Sequence, residues 1–281
     1  MKVAMLAAGV GHRLGMGADA PPKALLRFGG QTLLGRHLEI LAHFGLFDVT
    51  LVVGHQAHAI EQELRAISAE DRVTTCFNPD YRGSSLLSLW MLRDALRAGE
   101  PVLYMDADVL YDWRLLDRLL GSAHADCILI ARGDPDPEWL EVRIRDDRIV
   151  AFDKNVTLPG YDLRAEWIGF ARFSAANAAR LAGAIERYVA RGEVDVIYEK
   201  PMRDVIVATG GFGFEDVTDL PWIEIDFPED VRRARTEILP RLVQLPASTP
   251  RAARAGAAGV SGRWAGQPGP APEQPMRWRR R

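Results

Sequence analysis

Gly9, Gly11, Arg13 and Lys23 follow one another near the start of the chain, and their types suit a polyanion. Glycines let the backbone approach a ligand with no Cβ in the way. Successive N–H groups in such a loop form an anion-binding concavity. Arg13 offers a forked cation for phosphate oxygens, and Pro21-Pro22 holds the chain extended before delivering Lys23. A glycine loop with Arg and Lys at its two ends fits a triphosphate. Carboxylates come later, in Asp106-Ala-Asp108 and in Trp222-Ile-Glu-Ile-Asp226. Mg²⁺ takes one or two carboxylates and completes its shell with phosphate oxygens, so Asp108 and Asp226 are the expected ligands. The competing readings are a plain turn at Asp108 and an N-cap for the helix at Pro228 from Asp226.

The loop needs a strand before it. Val3 to Ala8 is a short apolar run of the kind that forms a buried parallel strand. Thr32 can cap a helix through Leu34, Leu38, Leu41 and Phe44, stopped at Gly45. Val49–Val53, Val73–Phe77 and Pro101–Met105 read as further strands. A helix over 58–67 and another from Ser84 or Ser85 to Gly99 alternate with them. This alternation predicts a doubly wound α/β sheet. Asp106-Ala-Asp108 then falls at a strand's carboxyl end, where open sheets bind ligands. After Cys127–Ala131 the pattern changes. A hairpin is expected around Asp146-Asp147, then a strand over Glu166–Phe173 and a helix from Ser174 to about Ala190. Ile223–Asp226 reads as a strand, followed by a helix from Pro228 to about Leu239. The second half thus adds α+β material to the same sheet.

Composition narrows the classes. The chain has 281 residues, 48% of them hydrophobic, with a net charge of −3. From Ala247 onward there are seven Arg against one Glu, so the remaining body is acidic. An acidic body does not suit nucleic acid. No apolar run is long enough to span a bilayer, and cytoplasmic location is the expectation. Residues 1–245 are expected to form one domain, and 246–281 a disordered basic tail. Cys76 and Cys127 read as buried reduced thiols, and His55 with His58 is a weak metal candidate. The dinucleotide fingerprint fails, because Leu14 stands where its last glycine belongs. The Walker lysine pattern is absent.

Leu6-Ala-Ala-Gly-x-Gly-x-Arg-Leu14, followed by Pro22-Lys23, resembles the signature of the nucleoside-triphosphate transferase family. That family includes sugar-1-phosphate nucleotidylyltransferases and phosphocholine cytidylyltransferases. The resemblance implies a Rossmann-like, doubly wound mixed sheet with a small acceptor-binding extension at about 132–215. It implies that Leu6, Ala7, Ala8, Gly9, Gly11, Arg13, Lys23, Ser84, Ser85 and Asp106 bind the nucleotide. It assigns catalysis to Arg13, Lys23, Asp108 and Asp226, with Arg13 on the outer phosphates and Lys23 at the α-phosphate. Asn78-Pro-Asp-Tyr-Arg-Gly-Ser-Ser-Leu-Leu-Ser-Leu-Trp90 resembles the phosphocholine and phosphonate cytidylyltransferase branch most.

The expected activity is therefore Mg²⁺-dependent transfer of CMP from CTP to a small phosphorylated or phosphonate acceptor. Lys154, Glu166, Trp167, Tyr198 and Glu199 are the expected acceptor residues, with Trp90 and Trp222 nearby. Aromatic faces with carboxylates favour a cationic head such as choline, and carboxylates also suit an aminoalkyl phosphonate. Core packing by these aromatics, and a solvated Lys154, are the competing readings. Three other functions stay open: a sugar-1-phosphate or inositol-1-phosphate nucleotidylyltransferase, a metal-dependent glycosyltransferase, and a non-catalytic nucleotide-binding regulator. A homodimer is left open.

Overall fold

Val3, Ala4 and Met5 are fully buried, on alternate faces, because strand β1 (Lys2–Ala7) runs through the middle of a sheet. The computed structural model describes residues 1–15, 20–133, 139–154 and 156–246. The chain continues through a small hairpin of β2 (Arg27–Phe28) and β3 (Gln31–Thr32). Then come α1 (Leu33–His43), β4 (Val49–Val53), α2 (Ala57–Ala66) and β5 (Val73–Phe77). Two short helices, α3 (Ser85–Trp90) and α4 (Arg93–Leu96), precede β6 (Val102–Asp106). After β7 (Val109–Tyr111) and α5 (Arg114–Gly121) come β8 (Cys127–Ala131), β9 (Glu141–Arg145), β10 (Arg148–Asp153) and β11 (Leu163–Phe173). The last elements are α6 (Ala175–Ala190), α7 (Glu199–Thr209), β12 (Gly213–Asp216), β13 (Trp222–Glu224) and α8 (Pro228–Arg233).

Nine strands form one sheet in the order β10-β9-β11-β6-β1-β4-β5, with β8 joined to β11 and β12 to β8. β6, β1, β4 and β5 run parallel, and β11 runs antiparallel to β6. This is the mixed, doubly wound sheet expected. Its two faces are covered separately. Leu34, Leu38, Ile60, Leu64 and Leu115 pack on the face of Met5 and Leu103. Leu86, Leu89, Leu181, Ile185 and Met202 pack on the face of Ala4 and Tyr104. Burying each such side chain contributes about 1.5–3 kcal/mol. Residues Met1–Pro246 form one compact unit. The tail from residue 247 lies outside the described residues. No helix among the described residues is long and apolar enough to cross a membrane.

Several local readings hold. Thr32 caps α1 by accepting the Gly35 N–H at 2.9 Å, and Ser174 caps α6 by accepting the Asn177 N–H at 3.3 Å. Asp146 and Asp147 have φ of +50° and +56°, the conformation of a two-residue hairpin turn. Others differ. The helix expected through Gly99 breaks after Trp90, where Met91 and Leu92 make tighter bonds to Ser88 and Leu89. The break still buries Leu89, Leu92 and Leu96 together. The last helix also changes pitch, widening over Ala234–Ile238 and tightening over Leu239–Arg241.

Candidate active site

The glycine loop leaves β1 at Ala8 and turns sharply at Gly11, whose φ is +67°. A Cβ there would lie 3.3 Å from the Lys23 side chain, so glycine suits the site twice over. A tight turn over Lys23–Leu25 then aims Lys23 inward. Its Nζ donates to Asp108 Oδ2 at 2.9 Å and to Asp226 Oδ1 at 2.5 Å. Arg13 Nη2 lies 2.8 Å from the other Asp226 oxygen. A cavity of about 370 Å³ opens here, lined by Leu6, Ala7, Gly9, Gly11, Arg13, Lys23 and Asp108, with His12, Ala24 and Ala107.

Backbone register explains how residues so far apart meet. β7 follows Asp108 directly and pairs antiparallel with β13, Glu224 opposite Val109. One step further, the Ile225 N–H donates to the Asp108 carbonyl at 3.0 Å. Asp226 is therefore delivered beside Asp108. The N-cap reading of Asp226 gives way here, because Phe227 holds the N-cap position and Asp230, in the first turn of α8, reaches back to the N–H groups before the helix. Asp230 Oδ2 accepts the backbone N–H groups of Asp226 and Phe227 at 3.1 and 2.8 Å, leaving the Asp226 carboxylate for Lys23 and Arg13.

The charges are strongly coupled. Burial alone would lower Lys23, but Asp108 and Asp226 outweigh it and hold its pKa above the ordinary lysine value. Lys23 stays protonated. Glu224 is the site residue that sequence reasoning missed. One oxygen each from Asp108, Glu224 and Asp226 lie within 4.8 Å of one another. Glu224 is solvent-exposed as a residue. Even so, crowding around its carboxyl, then repulsion from Asp108, Asp226 and Asp106, push its pKa well up. Three hard oxygen donors that repel one another fit a divalent cation such as Mg²⁺. The signal was in the sequence: residues two apart on an extended segment face the same side, so Glu224 accompanies Asp226.

The acceptor candidates separate into groups. Tyr198 donates to Asp106 Oδ2 at 2.7 Å, and Tyr104 donates to Asp106 Oδ1 at 2.8 Å. Burial pushes the Asp106 carboxyl well up, and Asp108 adds to it. Gly169, with φ +84°, makes room: a Cβ there would sit 2.7 Å from Asp106 Oδ2. Glu199 adjoins this cluster. Burial raises its pKa to about 7, and its Oε2 has no hydrogen-bond partner.

Trp167 is only 5% exposed, donates its indole N–H to the Phe170 carbonyl and packs on Tyr104, Phe152 and Tyr198. It contributes core packing, not an open aromatic face. Trp222 packs against the opposite face of the sheet. Glu166 is not brought to Tyr198: Ala165 and Trp167 both join the aromatic side, so strand alternation turns Glu166 away. Lys154 lines a second hollow of about 670 Å³ with Asp153, Arg203 and Asp204. Ser84 donates to the Val194 carbonyl, and Ser85 accepts the Tyr198 N–H at 3.0 Å. Both hydroxyls thus join the start of α3 to the connection between α6 and α7. Ala8 is buried behind the loop.

Known proteins resemble this arrangement. The model of the MobA-like NTP transferase domain matches residues 3–198. The chain is 28% identical over 247 residues to a CMP-5′-(3-aminopropyl)phosphonate synthase of Streptomyces rubellomurinus, covering 83% of this chain and 38% of that protein. It is 30% identical over 243 residues to a bifunctional IPC transferase and DIPP synthase of Rubrobacter xylanophilus, covering 84% and 51%. This chain thus spans about half or less of the length of these two relatives. The choline-phosphate cytidylyltransferase of Streptococcus pneumoniae is 26% identical over 238 residues, covering 83% and 96%. A solved CTP:phosphocholine cytidylyltransferase of that species shares the fold, with a TM-score of 0.65 at 22% identity over 83% of this chain and 96% of that one. The chain belongs to the MobA-like NTP transferase domain family.

Proposed function

We propose that this chain is a Mg²⁺-dependent nucleotidyltransferase that moves CMP from CTP to a small phosphorylated or phosphonate acceptor, releasing pyrophosphate. The observation that carries this reading is Lys23 held between Asp108 and Asp226 at the mouth of the glycine-loop cavity. The names of the relatives support the nucleotide and the acceptor class.

The acceptor needs no strong base, because its second ionisation lies near about pH 6. Its oxygen attacks the α-phosphorus of CTP. The bond from that phosphorus to the oxygen bridging to the β-phosphate breaks, and pyrophosphate leaves with the electron pair. The protein's task is to align three anionic groups and screen their repulsion. Arg13 holds the outer phosphates. Lys23 turns from the carboxylates to the α-phosphate. Asp108 and Asp226, with Glu224 in reach, would hold Mg²⁺, whose charge neutralises phosphate oxygens. Glu199, with its unpartnered oxygen, faces the cationic end of the acceptor.

Pyrophosphate release is the test, with four nucleoside triphosphates against phosphocholine, 2-aminoethylphosphonate, inositol-1-phosphate and hexose-1-phosphates. CTP with a cationic acceptor is the expected pair. Turnover only with a hexose-1-phosphate or inositol-1-phosphate supports a second reading, a sugar-1-phosphate or inositol-1-phosphate nucleotidylyltransferase. Binding without turnover in every pair overturns both.

A further inference from the structure

We propose that the turn Gly54-His55-Gln56 is a positioning device for the nucleotide loop, holding both of its ends and thereby setting where Lys23 meets the triphosphate. The inference rests on the nucleotide site proposed above. Two hydrogen-bonding side chains converge on one atom: His55 Nε2 and Gln56 Nε2 each lie 3.0 Å from the Ala20 carbonyl oxygen. A carbonyl oxygen only accepts, and it has two lone pairs. His55 therefore carries its proton on Nε2, and both lone pairs are used. The same turn grips the other end of the loop, since the His55 backbone N–H donates to the Ala8 carbonyl at 3.1 Å. Ala8 is where the loop leaves β1, and Ala20 stands three residues before Lys23.

The turn is held tightly for this purpose. Gln56 has φ +45° and ψ +45°, a left-handed conformation uncommon for a residue with a Cβ. It stands at the N-cap of α2, yet its side chain makes no capping bond and reaches Ala20 instead. Such conformations persist where the surroundings over-determine them. The surroundings here are dense. A Cβ on Gly54 would fall on the Tyr81 side chain and lie 2.9 Å from the Ala8 carbonyl oxygen. His55 is only 6% exposed and lies against Tyr81, ring centroids 6.3 Å apart. Through β4, which pairs with β1 along its whole length, the turn is fixed to the strand that launches the loop. The histidine thus belongs to a loop anchor, not to a metal site with His58.

The test uses the full chain and three variants. Gln56→Gly removes the amide and suits positive φ. Gln56→Asn keeps an amide and tolerates positive φ but is one carbon short. His55→Phe keeps the ring volume and removes the donor. One neutral intramolecular hydrogen bond is worth a factor of about 2 to 12 in an equilibrium constant; where it sets the loop's position that factor is read in nucleotide binding, so each variant should raise the Kd and KM for CTP by up to about that much. The double variant Gln56→Gly with His55→Phe should raise them more, with KM for the acceptor unchanged. Equal CTP affinity in the double variant overturns the inference. So does a matched rise in both KM values with a lower melting temperature, which marks a brace without a positioning role. A wild-type chain that binds no nucleoside triphosphate overturns the nucleotide site itself, and this inference with it.

Discussion

Tyr198 donates its phenolic hydroxyl to Asp106 at 2.7 Å, tying the start of α7 to the carboxyl end of β6. Asp106 lies two residues before Asp108, which lines the glycine-loop cavity, and Tyr198 lies one before Glu199. Any shift of α7 is therefore felt at the turn that carries Asp108.

Tyr198→Phe tests that coupling. The variant keeps the ring against Tyr104 and Trp167 but removes one donor from a buried carboxyl. Leaving such a group short of a partner costs about 1–3 kcal/mol. Denaturant unfolding should show that loss, and KM for the acceptor should rise. Unchanged stability and KM would mean that Tyr104 alone satisfies Asp106.

Gly169→Ala should be harsher. The new Cβ would sit 2.7 Å from Asp106 Oδ2, on a backbone with φ +84°. Left-handed backbone and a steric clash add, so we expect about 1–3 kcal/mol lost from the backbone conformation alone. Asp106 must also move, and turnover should fall further than in Tyr198→Phe. A variant as stable as wild type would show that β11 relaxes freely at its irregularity between Trp167 and Ala171.

Lys23→Met removes the cation between Asp108 and Asp226. Removing one preorganised charge-stabilising group typically costs about 10²–10³ in rate, and pyrophosphate release should fall by that order. The two carboxylates then repel without compensation. The variant should be less stable without divalent metal, and Mg²⁺ should raise its melting temperature more than that of wild type. Near-normal turnover would refute the role.

Glu224→Gln separates the third carboxylate from the other two. The activity of this variant should need more Mg²⁺, with the half-activating concentration raised roughly 10-fold, while saturating metal restores most of kcat. The same metal dependence as wild type would reduce Glu224 to an exposed neighbour.

Much of this was legible in the chain. Gly11 and Asp108 announced themselves by type and by position after strands, and Lys23 by the Pro21-Pro22 that precedes it. Asp226 could be read only with its competing N-cap role, and the structure places the cap one residue on, at Phe227, with Asp230 accepting its N–H. Glu224 stayed hidden because Asp226 alone sufficed for the motif, although strand alternation places both on one side. β7, α5, α7 and β12 were not read as elements. α7 opens on Tyr198-Glu199-Lys-Pro201, and a proline reads as a break, although helices tolerate it in their first turn. Trp167 shows the opposite failure. Its type suggested a ligand face, but only three-dimensional contacts with Tyr104, Phe152 and Tyr198 reveal that every face is covered.

Glu199 predicts a pH dependence of stability. Burial raises its pKa from the ordinary glutamate value of 4.5 to about 7 in the folded chain, with Lys154 lowering and Asp153 raising it. The folded state therefore holds this proton to higher pH than the unfolded state does. Its contribution is fully present below about pH 4.5 and is lost as pH rises through about 7. The difference corresponds to a loss on the order of 3 kcal/mol. Glu199→Gln is neutral throughout, so its stability advantage over wild type should grow between pH 5 and pH 8. Chemical denaturation across that range measures it, and parallel curves would sink the assignment. A cationic acceptor favours the charged form of Glu199. Saturating acceptor should therefore flatten the wild-type curve and leave the pH slope of the Glu199→Gln curve as it was.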